Sequence, residues 1–576
     1  MRLNNLKKSL LLLAFINLQL LFAQSKAITI DGVFDDWTPD LTTFVDTNEN
    51  ISGIDFLEIQ VTNDSEFLFI KIKADAEFDL TDDLILHDLG IFIDSDNNTS
   101  TGFDVQQGYG SELGIIFTEL FAHYNVTPYS QVGFSDLKLR AAPTVTSDEF
   151  EIAIGRNAIP DGINPLFTSS TIKILLKNDS NFDKVPNVGS VFSYTFDETP
   201  VTPYTPIEIN KSDISDIRIM IYNTLFNGLL EVDRVDNFEN IIKIVNPDIV
   251  GFVESYNTTE AYVKSLFDAW LPLGTANGWY VERHGGEVTV SRWEITQRWD
   301  GLTRQFPVLI DLPSSYGTDL LFTNAHLSCC GADVNRQDQA DQYAAFILDA
   351  KSAGGDITLP ANTPFVYGGD LNLVGFSQQL TTLKTGDIQD TASYGVGDPL
   401  DWDDSDLTEQ NCLQTDIRMN YTWRSDGQGF PPGKLDFIIF SDYTLTAEKS
   451  FVLQTEEMPA NRLALYGFDL LDTSSASDHF PVITDFSINE TLGLDEETTL
   501  NVKVYPNPTS DNITLTFNNP GDYSISLYDA LGRLVLTTKT KLGSITLDTK
   551  VLPSGVYYVL VNNSQNTSET FKILKY

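Results

Sequence analysis

The sequence predicts a multidomain chain with β-sandwiches at both ends and an α/β unit between them. Three observations predict it. Short apolar runs near the N-terminus alternate with polar residues at period two, the pattern of half-buried antiparallel strands. Residues 213–488 instead mix strand-like runs with stretches of helical spacing, which argues an α/β architecture. A Pro-bearing segment and an acidic one separate these regions, and 576 residues exceed what a single hydrophobic core organises.

The first unit spans 27–197. Leu57, Ile59 and Val61 alternate with Glu58 and Gln60, Thr62-Asn63-Asp64-Ser65 makes a turn, and residues 67–73 alternate again. The opening Ile28-Thr29-Ile30-Asp31-Gly32-Val33-Phe34-Asp35-Asp36-Trp37 resembles the start of family-nine-like carbohydrate-binding and DOMON-type β-sandwich modules, which implies a glycan ligand. After the run 91–93, Asp94 and Asp96 sit at alternate positions with Asn97, Asn98 and Thr99 following. Hard oxygen donors so spaced suit a structural Ca²⁺, and the same residues suit a polar turn bonded to its own backbone.

Residues 198–212, with Pro203 and Pro206, read as a linker. In the central unit, 213–488, strand-like runs fall at 217–222, 249–253, 319–324, 365–367, 437–440 and 482–486. Ala340, Tyr343, Ala344 and Ile347 mark a helix over 336–350. A second linker, 489–500, is acidic, and the final unit runs from 501 to 576 with short strands around Ile525, Leu527, Val556, Tyr558 and Leu560. Its Val504-Tyr505-Pro506-Asn507-Pro508-Thr509 opening, its Tyr528-Asp529-Ala530-Leu531-Gly532-Arg533 turn and its Leu552-Pro553-Ser554-Gly555-Val556-Tyr557-Tyr558 run resemble the C-terminal sorting domains of the type IX secretion system. The resemblance implies a small β-sandwich, handling by that secretion machinery, and release from the cell or anchoring to its surface.

The N-terminus agrees with export. Arg2, Lys7 and Lys8 precede an apolar run at 10–22, and Ala23-Gln24 offers a cleavage point, so 1–23 reads as a signal peptide. That run is too short to span a bilayer, and no later segment reaches 18 apolar residues, so no transmembrane segment is expected. The three cysteines, Cys329, Cys330 and Cys412, allow at most one bridge plus a free thiol; Cys412 could pair with one of the adjacent two, but the loops here do not depend on disulfides. With 81 acidic against 36 basic residues and a net charge of -45, the chain is not held on polyanions by a general positive field. A phosphate-bearing substrate must be engaged locally or through bound cations.

Hydrolysing a phosphate ester needs a cation to neutralise phosphoryl oxygens, a base for water, and donors for the developing charge. Mg²⁺-type ions take carboxylate and amide oxygens. The central unit offers such groups at the ends of apolar runs: Asn223, Glu254, His326, Asp370 and Asn372, Asp436, then Asp478 and His479. The Gly369-Asp370-Leu371-Asn372 and Ser477-Asp478-His479 elements, in this order with the others, resemble the endonuclease/exonuclease/phosphatase superfamily. The resemblance implies a four-layer α/β sandwich with two packed mixed sheets and a metal-dependent phosphoric ester hydrolase.

Carried over residue by residue, Glu254 is implied as the principal Mg²⁺ ligand, with Mn²⁺ or Ca²⁺ as alternatives, and Asn223 and Asp478 share the metal shell. Asp370 and Asn372 are implied to orient water and phosphate or hold a second metal. His479 is implied as base or charge partner, with its tautomer set by Asp436, and His326 as donor to the phosphate or leaving group. Glu287 is a weaker candidate to orient His326. Val253 stands where the nuclease branch carries Gln, and no dense Lys/Arg stripe is present. The expectation is a secreted phosphodiesterase with nucleic acid slightly favoured. A phospholipid or sphingomyelin head group, a phosphomonoester, or an inactive glycan-binding role are the alternatives.

Overall fold

The computed structural model describes residues 25–49, 51–81, 88–355, 357–489, 502–517, 521–563 and 568–576. The expected signal peptide, 1–23, and the second linker beyond Asn489 lie outside the described residues. The chain divides into two compact units, one up to Asn489 and one from Glu490 onward.

In the first unit, the period-two runs near the N-terminus form two antiparallel sheets. One has five strands in the order Thr42–Val45, Phe56–Asn63, Phe67–Phe78, Ser147–Gly155, Arg140–Ala142. The other runs Lys184–Val185, Thr171–Asn178, Leu89–Asp94, Leu113–Ile116, Phe121–Tyr124, Ser130–Val132, with Ser193–Thr195 also pairing to Thr171–Asn178. Because successive side chains face opposite ways, Ile59, Val61, Ile70 and Ile72 from one sheet meet Ile91, Ile93, Ile172 and Ile174 from the other in a shared core.

The central region builds two six-stranded mixed sheets. The first runs Tyr280–His284, Glu287–Ser291, Ile249–Val253, Ile217–Asn223, Val482–Ile488, Leu445–Val452. The second runs Ile295–Arg298, Gln305–Ile310, Leu320–His326, Phe365–Asp370, Asp436–Phe440, Thr408–Glu409. Alternation again decides the faces. Ile219 and Ile221 point inward to Phe322, Val366 and Ile438 of the opposing sheet. Met220 and Tyr222 point outward onto Phe238, Ile242 and Phe267 of the Val235–Val245 and Glu260–Trp270 helices. Outside the second sheet, Leu321, Tyr367 and Ile439 pack on Ala340, Tyr343 and Ile347 of the Asp333–Lys351 helix. Helix, sheet, sheet and helix make the four layers expected.

Two expectations about boundaries change. The Pro-bearing segment is not a free tether: Ile207 N–H donates to Thr415 O, Tyr204 Oη to Gln414 O, and Ile209 is fully buried. The opening residues Ile28, Ile30, Trp37 and Leu41 are buried in the same cluster as Phe306, Met419 and Phe480 of the central sheets. Apolar groups there are removed from water only because both regions contribute, so the N-terminal sandwich is built onto the central one.

In the second unit, Val502–Tyr505, Asn512–Phe517 and Ser544–Asp548 form one sheet. Leu534–Thr540, Tyr523–Asp529, Gly555–Asn563 and Ser568–Lys575 form the other. Ile513, Leu515, Ile525, Val559 and Val561 fill the space between them. Among the described residues no helix is long and apolar enough to cross a membrane.

Candidate active site

Register assembles the site. Leu320–His326 pairs in parallel with Phe365–Asp370, putting His326 opposite Asp370. The antiparallel partner Asp436–Phe440 puts Asp436 opposite Asp370 on the other side. These three residues form one row across the strand ends of the second sheet, and residues in one row share a face. In the facing sheet the parallel pair Ile217–Asn223 and Ile249–Val253 end level, Asn223 opposite Val253. Glu254 follows immediately in a left-handed backbone conformation, φ +58°.

The two rims meet around one carboxylate. Asn223 Nδ2 donates to Asp370 Oδ2 at 2.9 Å and lies 3.3 Å from Glu254 Oε1. His326 Nε2 stands 3.7 Å from Asp370 Oδ2 and 3.8 Å from Glu254 Oε1. His479 Nε2 is 3.6 Å from the same Asp370 oxygen, while its Nδ1 is 2.8 Å from Asp436 Oδ2. Asn372 lies beyond the strand end, its N–H on Asp370 Oδ1 and its amide donating to Leu327 O. Asp478 stands slightly apart: its Oδ2 accepts from Trp423 Nε1 at 3.1 Å, and its Oδ1 is buried without a hydrogen-bond partner. Glu254, His326 and Asp370 form one cluster of potential cation ligands, and Asp370, Asp436 and His479 another.

Burial and charge separate the two histidines. Burial pushes His326 down to about 4, with Arg304 and His479 acting in the same sense against Asp370. Burial also opposes charging of His479, but Asp436, Asp370 and Asp478 outweigh it and push it up to about 10. Burial raises Asp370 against the pull of His479, His326 and the Asn223 amide. Near neutral pH the site therefore pairs one neutral imidazole with one charged one, an arrangement that splits donor and acceptor roles.

Glu287, the weaker candidate to orient His326, is buried at its strand start, and the group on His326 Nδ1 is the Tyr256 hydroxyl, 3.3 Å away. Tyr256 lies two residues past Glu254, so its nearness to the site is legible in the sequence. Thr422 and Trp423 gave no such signal. They come from an irregular segment far from any motif, yet Thr422 Oγ1 donates to Asp436 Oδ2 at 2.7 Å and Trp423 holds Asp478. Cys412 is not paired with Cys329 or Cys330. Cys412 is buried against Thr484 and the Gln410 carbonyl, whereas the other two are exposed at the start of the Asp333–Lys351 helix.

In the N-terminal sandwich, Asp94 and Asp96 are joined by Glu112, which the sequence reading missed, with carboxylate oxygens within 4.8 Å of one another. Lys173 Nζ already pairs with Asp94 at 2.7 Å, Asp96 accepts from Asn98 N–H and Thr101 Oγ1, and Glu112 accepts from Ser95 N–H.

Residues 220–479 match the Endonuclease/Exonuclease/phosphatase family. The central domain belongs to that family. Hydrolysis of phosphate esters is the chemistry its members share. Residues 503–575 match the secretion system C-terminal sorting domain, so the chain that carries this endonuclease/exonuclease/phosphatase domain is exported by the type IX route, to the medium or the cell surface. Among solved structures it is similar to an endonuclease/exonuclease/phosphatase from Beutenbergia cavernae, at 15% identity over 62% of this chain and 100% of that one, TM-score 0.28. It is also similar to sphingomyelinase C from Streptomyces griseocarneus, at 17% identity over 47% and 99%, TM-score 0.29. Beta toxin from Staphylococcus aureus matches at 15% identity over 47% and 99%, TM-score 0.29. A curated relative, an ulvan lyase of Nonlabens ulvanivorans, is 32% identical over 108 residues, 18% of this chain and 20% of that protein; the match thus spans about a fifth of the relative's length.

Proposed function

We propose that the central domain is a divalent-metal-dependent phosphodiesterase acting outside the cell, with nucleic acid as the favoured substrate. The observation that carries this reading is the crowding around Asp370 Oδ2, which has the Nε2 atoms of both His326 and His479 within 3.7 Å. Asp436 Oδ1 and Asp478 Oδ1 are buried without hydrogen-bond partners, a costly state for a carboxylate oxygen. Together with Glu254 and the Asn223 amide these are hard oxygen donors, the kind that suit Mg²⁺, Mn²⁺ or Ca²⁺. Glu254, Asn223 and Asp478 would hold the cation. When bound, it supplies a Lewis acid that draws charge from the phosphoryl oxygens.

The protein groups account for the rest. His479, charged and held by Asp436, pairs with the negative charge that grows on the phosphoryl oxygens. His326, neutral and steadied by Tyr256, hydrogen-bonds the phosphate or the leaving oxygen. Asp370 and Asn372 orient the attacking water. Positioned acid–base groups such as His479 contribute about 10²–10⁴-fold each, and Asp478 would help hold the cation, so Asp478→Ala and His479→Ala are expected to abolish measurable turnover while circular dichroism stays unchanged. The decisive measurement is a panel of DNA, RNA, bis(p-nitrophenyl) phosphate, sphingomyelin vesicles and phosphomonoesters, each with Mg²⁺, Mn²⁺, Ca²⁺ or EDTA. Cation-dependent cleavage of diesters is expected. Turnover of monoesters alone, or turnover that EDTA leaves untouched, overturns the reading.

A lipid head group is the second reading, favoured by one observation. Phe226 is 70% exposed beside the site, and its own N–H donates to Glu254 Oε2 at 2.8 Å. Sphingomyelin vesicles cleaved faster than DNA in the same panel, with Phe226→Ser reversing the order, would establish it. For the N-terminal sandwich the proposal is a structural Ca²⁺ on Asp94, Asp96 and Glu112. It requires that Ca²⁺ raise the melting temperature of the wild type and not of Asp96→Ala.

A further inference from the structure

Cys329 and Cys330 follow the His326 strand within a short loop that enters the Asp333–Lys351 helix. Both are exposed. Their Sγ atoms lie 2.7 Å apart, well inside the roughly 3.5–4.0 Å at which unbonded heavy atoms come to rest. Cys330 adopts φ +62°, a left-handed conformation that a residue with a Cβ rarely takes without cause. The loop is fixed in this shape from outside the two thiols. The fully buried Arg336 donates Nη1 to the carbonyls of both Ser328 and Cys330, and its remaining nitrogens hold Asp333 and Gln379. Ser328 N–H donates to Gln339 Oε1 at 3.0 Å, securing the other end. A backbone pinned on both sides therefore keeps two adjacent thiols face to face, in a protein that its sorting domain sends to an oxidising exterior.

We propose that Cys329 and Cys330 are joined by a vicinal disulfide in the exported protein. The oxidant is the disulfide of an envelope thiol–disulfide oxidoreductase. One cysteine thiolate attacks a sulfur of that disulfide, which expels its partner sulfur as a thiolate and leaves a mixed disulfide. The second cysteine thiolate then attacks the protein sulfur and displaces the oxidoreductase. Two cysteine thiols lose two protons and two electrons, and the donor disulfide gains both as a dithiol. The bridge closes a ring on the loop whose Leu327 carbonyl accepts the Asn372 amide at 3.2 Å, so it stiffens the wall of the site described above. Cys412 takes no part, since it is buried and burial raises its thiol.

Alkylation of the full exported protein, unfolded in guanidinium with iodoacetamide, reads this bridge whether or not any phosphoester is turned over. Without reductant a single label is expected, on Cys412. After reduction three are expected, and the unreduced peptide carrying both cysteines should weigh two hydrogens less. In Cys329→Ser, Cys330 should take a label without reductant. Labelling of Cys329 and Cys330 in the unreduced wild type, or a dimer on a non-reducing gel that disappears in Cys330→Ser, overturns the proposal.

Discussion

Asp436 presents one oxygen to His479 at 2.8 Å, and that oxygen also accepts the Thr422 hydroxyl. Replacing it by Asn keeps the shape and removes the charge that holds the imidazole protonated. Such partners are worth about 10–100-fold, so Asp436→Asn should lower kcat by that factor with little change in melting temperature. A kcat within twofold of wild type would show that His479 is oriented by other means. Glu151 is a carboxyl of a different kind. It accepts the N–H groups of Asp31 and Gly32 and the Trp37 indole, and burial, working against those bonds, pushes it up to about 7. The folded protein then binds this proton more tightly than the unfolded chain. The stability it contributes is fully present below the ordinary glutamate value and is lost as pH rises through about 7. Melting temperature should therefore drop more between about pH 5 and 8 in the wild type than in Glu151→Gln. Parallel curves for the two proteins would exclude Glu151 as the source.

At the scale of elements, the row of His326, Asp370 and Asp436 depends on how closely two parallel strands approach. Gly369 has φ +149°, and a Cβ there would stand 1.9 Å from the Ala325 carbonyl oxygen. A backbone oxygen cannot step aside as a flexible side chain can, so Gly369→Ala forces the Leu320–His326 and Phe365–Asp370 strands apart. Overpacking of this kind costs about 1–3 kcal/mol. Loss of activity is expected to exceed what that destabilisation explains at 25 °C, because His326 and Asp370 move with the strands. Normal activity in a merely less stable variant would separate register from catalysis. The strands themselves were legible from their apolar runs, and so were their polar ends, since a run that stops at Asn223, Glu254, His326 or Asp370 shows where the buried segment gives out. The helix was expected from 336 and begins at Asp333, because Asp333 pairs with Arg336 inside the first turn. Left-handed turns were not legible. Leu225, Phe226 and Asn227 carry φ of +46°, +47° and +64° without a glycine among them, and tertiary contacts such as the Phe226 N–H on Glu254 hold them there.

For the whole molecule, a net charge of -45 opposes the approach of any polyanion. If nucleic acid is the substrate, raising NaCl from about 0.05 to 0.2 M shortens the Debye length from roughly 14 to 7 Å and should lower KM. A KM that climbs steeply with salt would mean that a basic surface grips the substrate instead. The N-terminal sandwich is bound into the same unit by Ile28, Ile30 and Trp37, so the central domain carries part of its core on residues that a local reading assigned elsewhere. Sequence by itself determined the export route, the order of the folded units and which polar residues close the buried strands, because each of these follows from a pattern within a few neighbouring positions. Only the tertiary structure decided that His326, Asp370 and Asp436 stand in one row, that Tyr256 and Thr422 meet that row, and that Trp423 holds Asp478. It alone also brought the two adjacent thiols face to face beside that row. Contacts between residues that far apart depend on strand register and on how two sheets pack, and neither is written in any single stretch of chain.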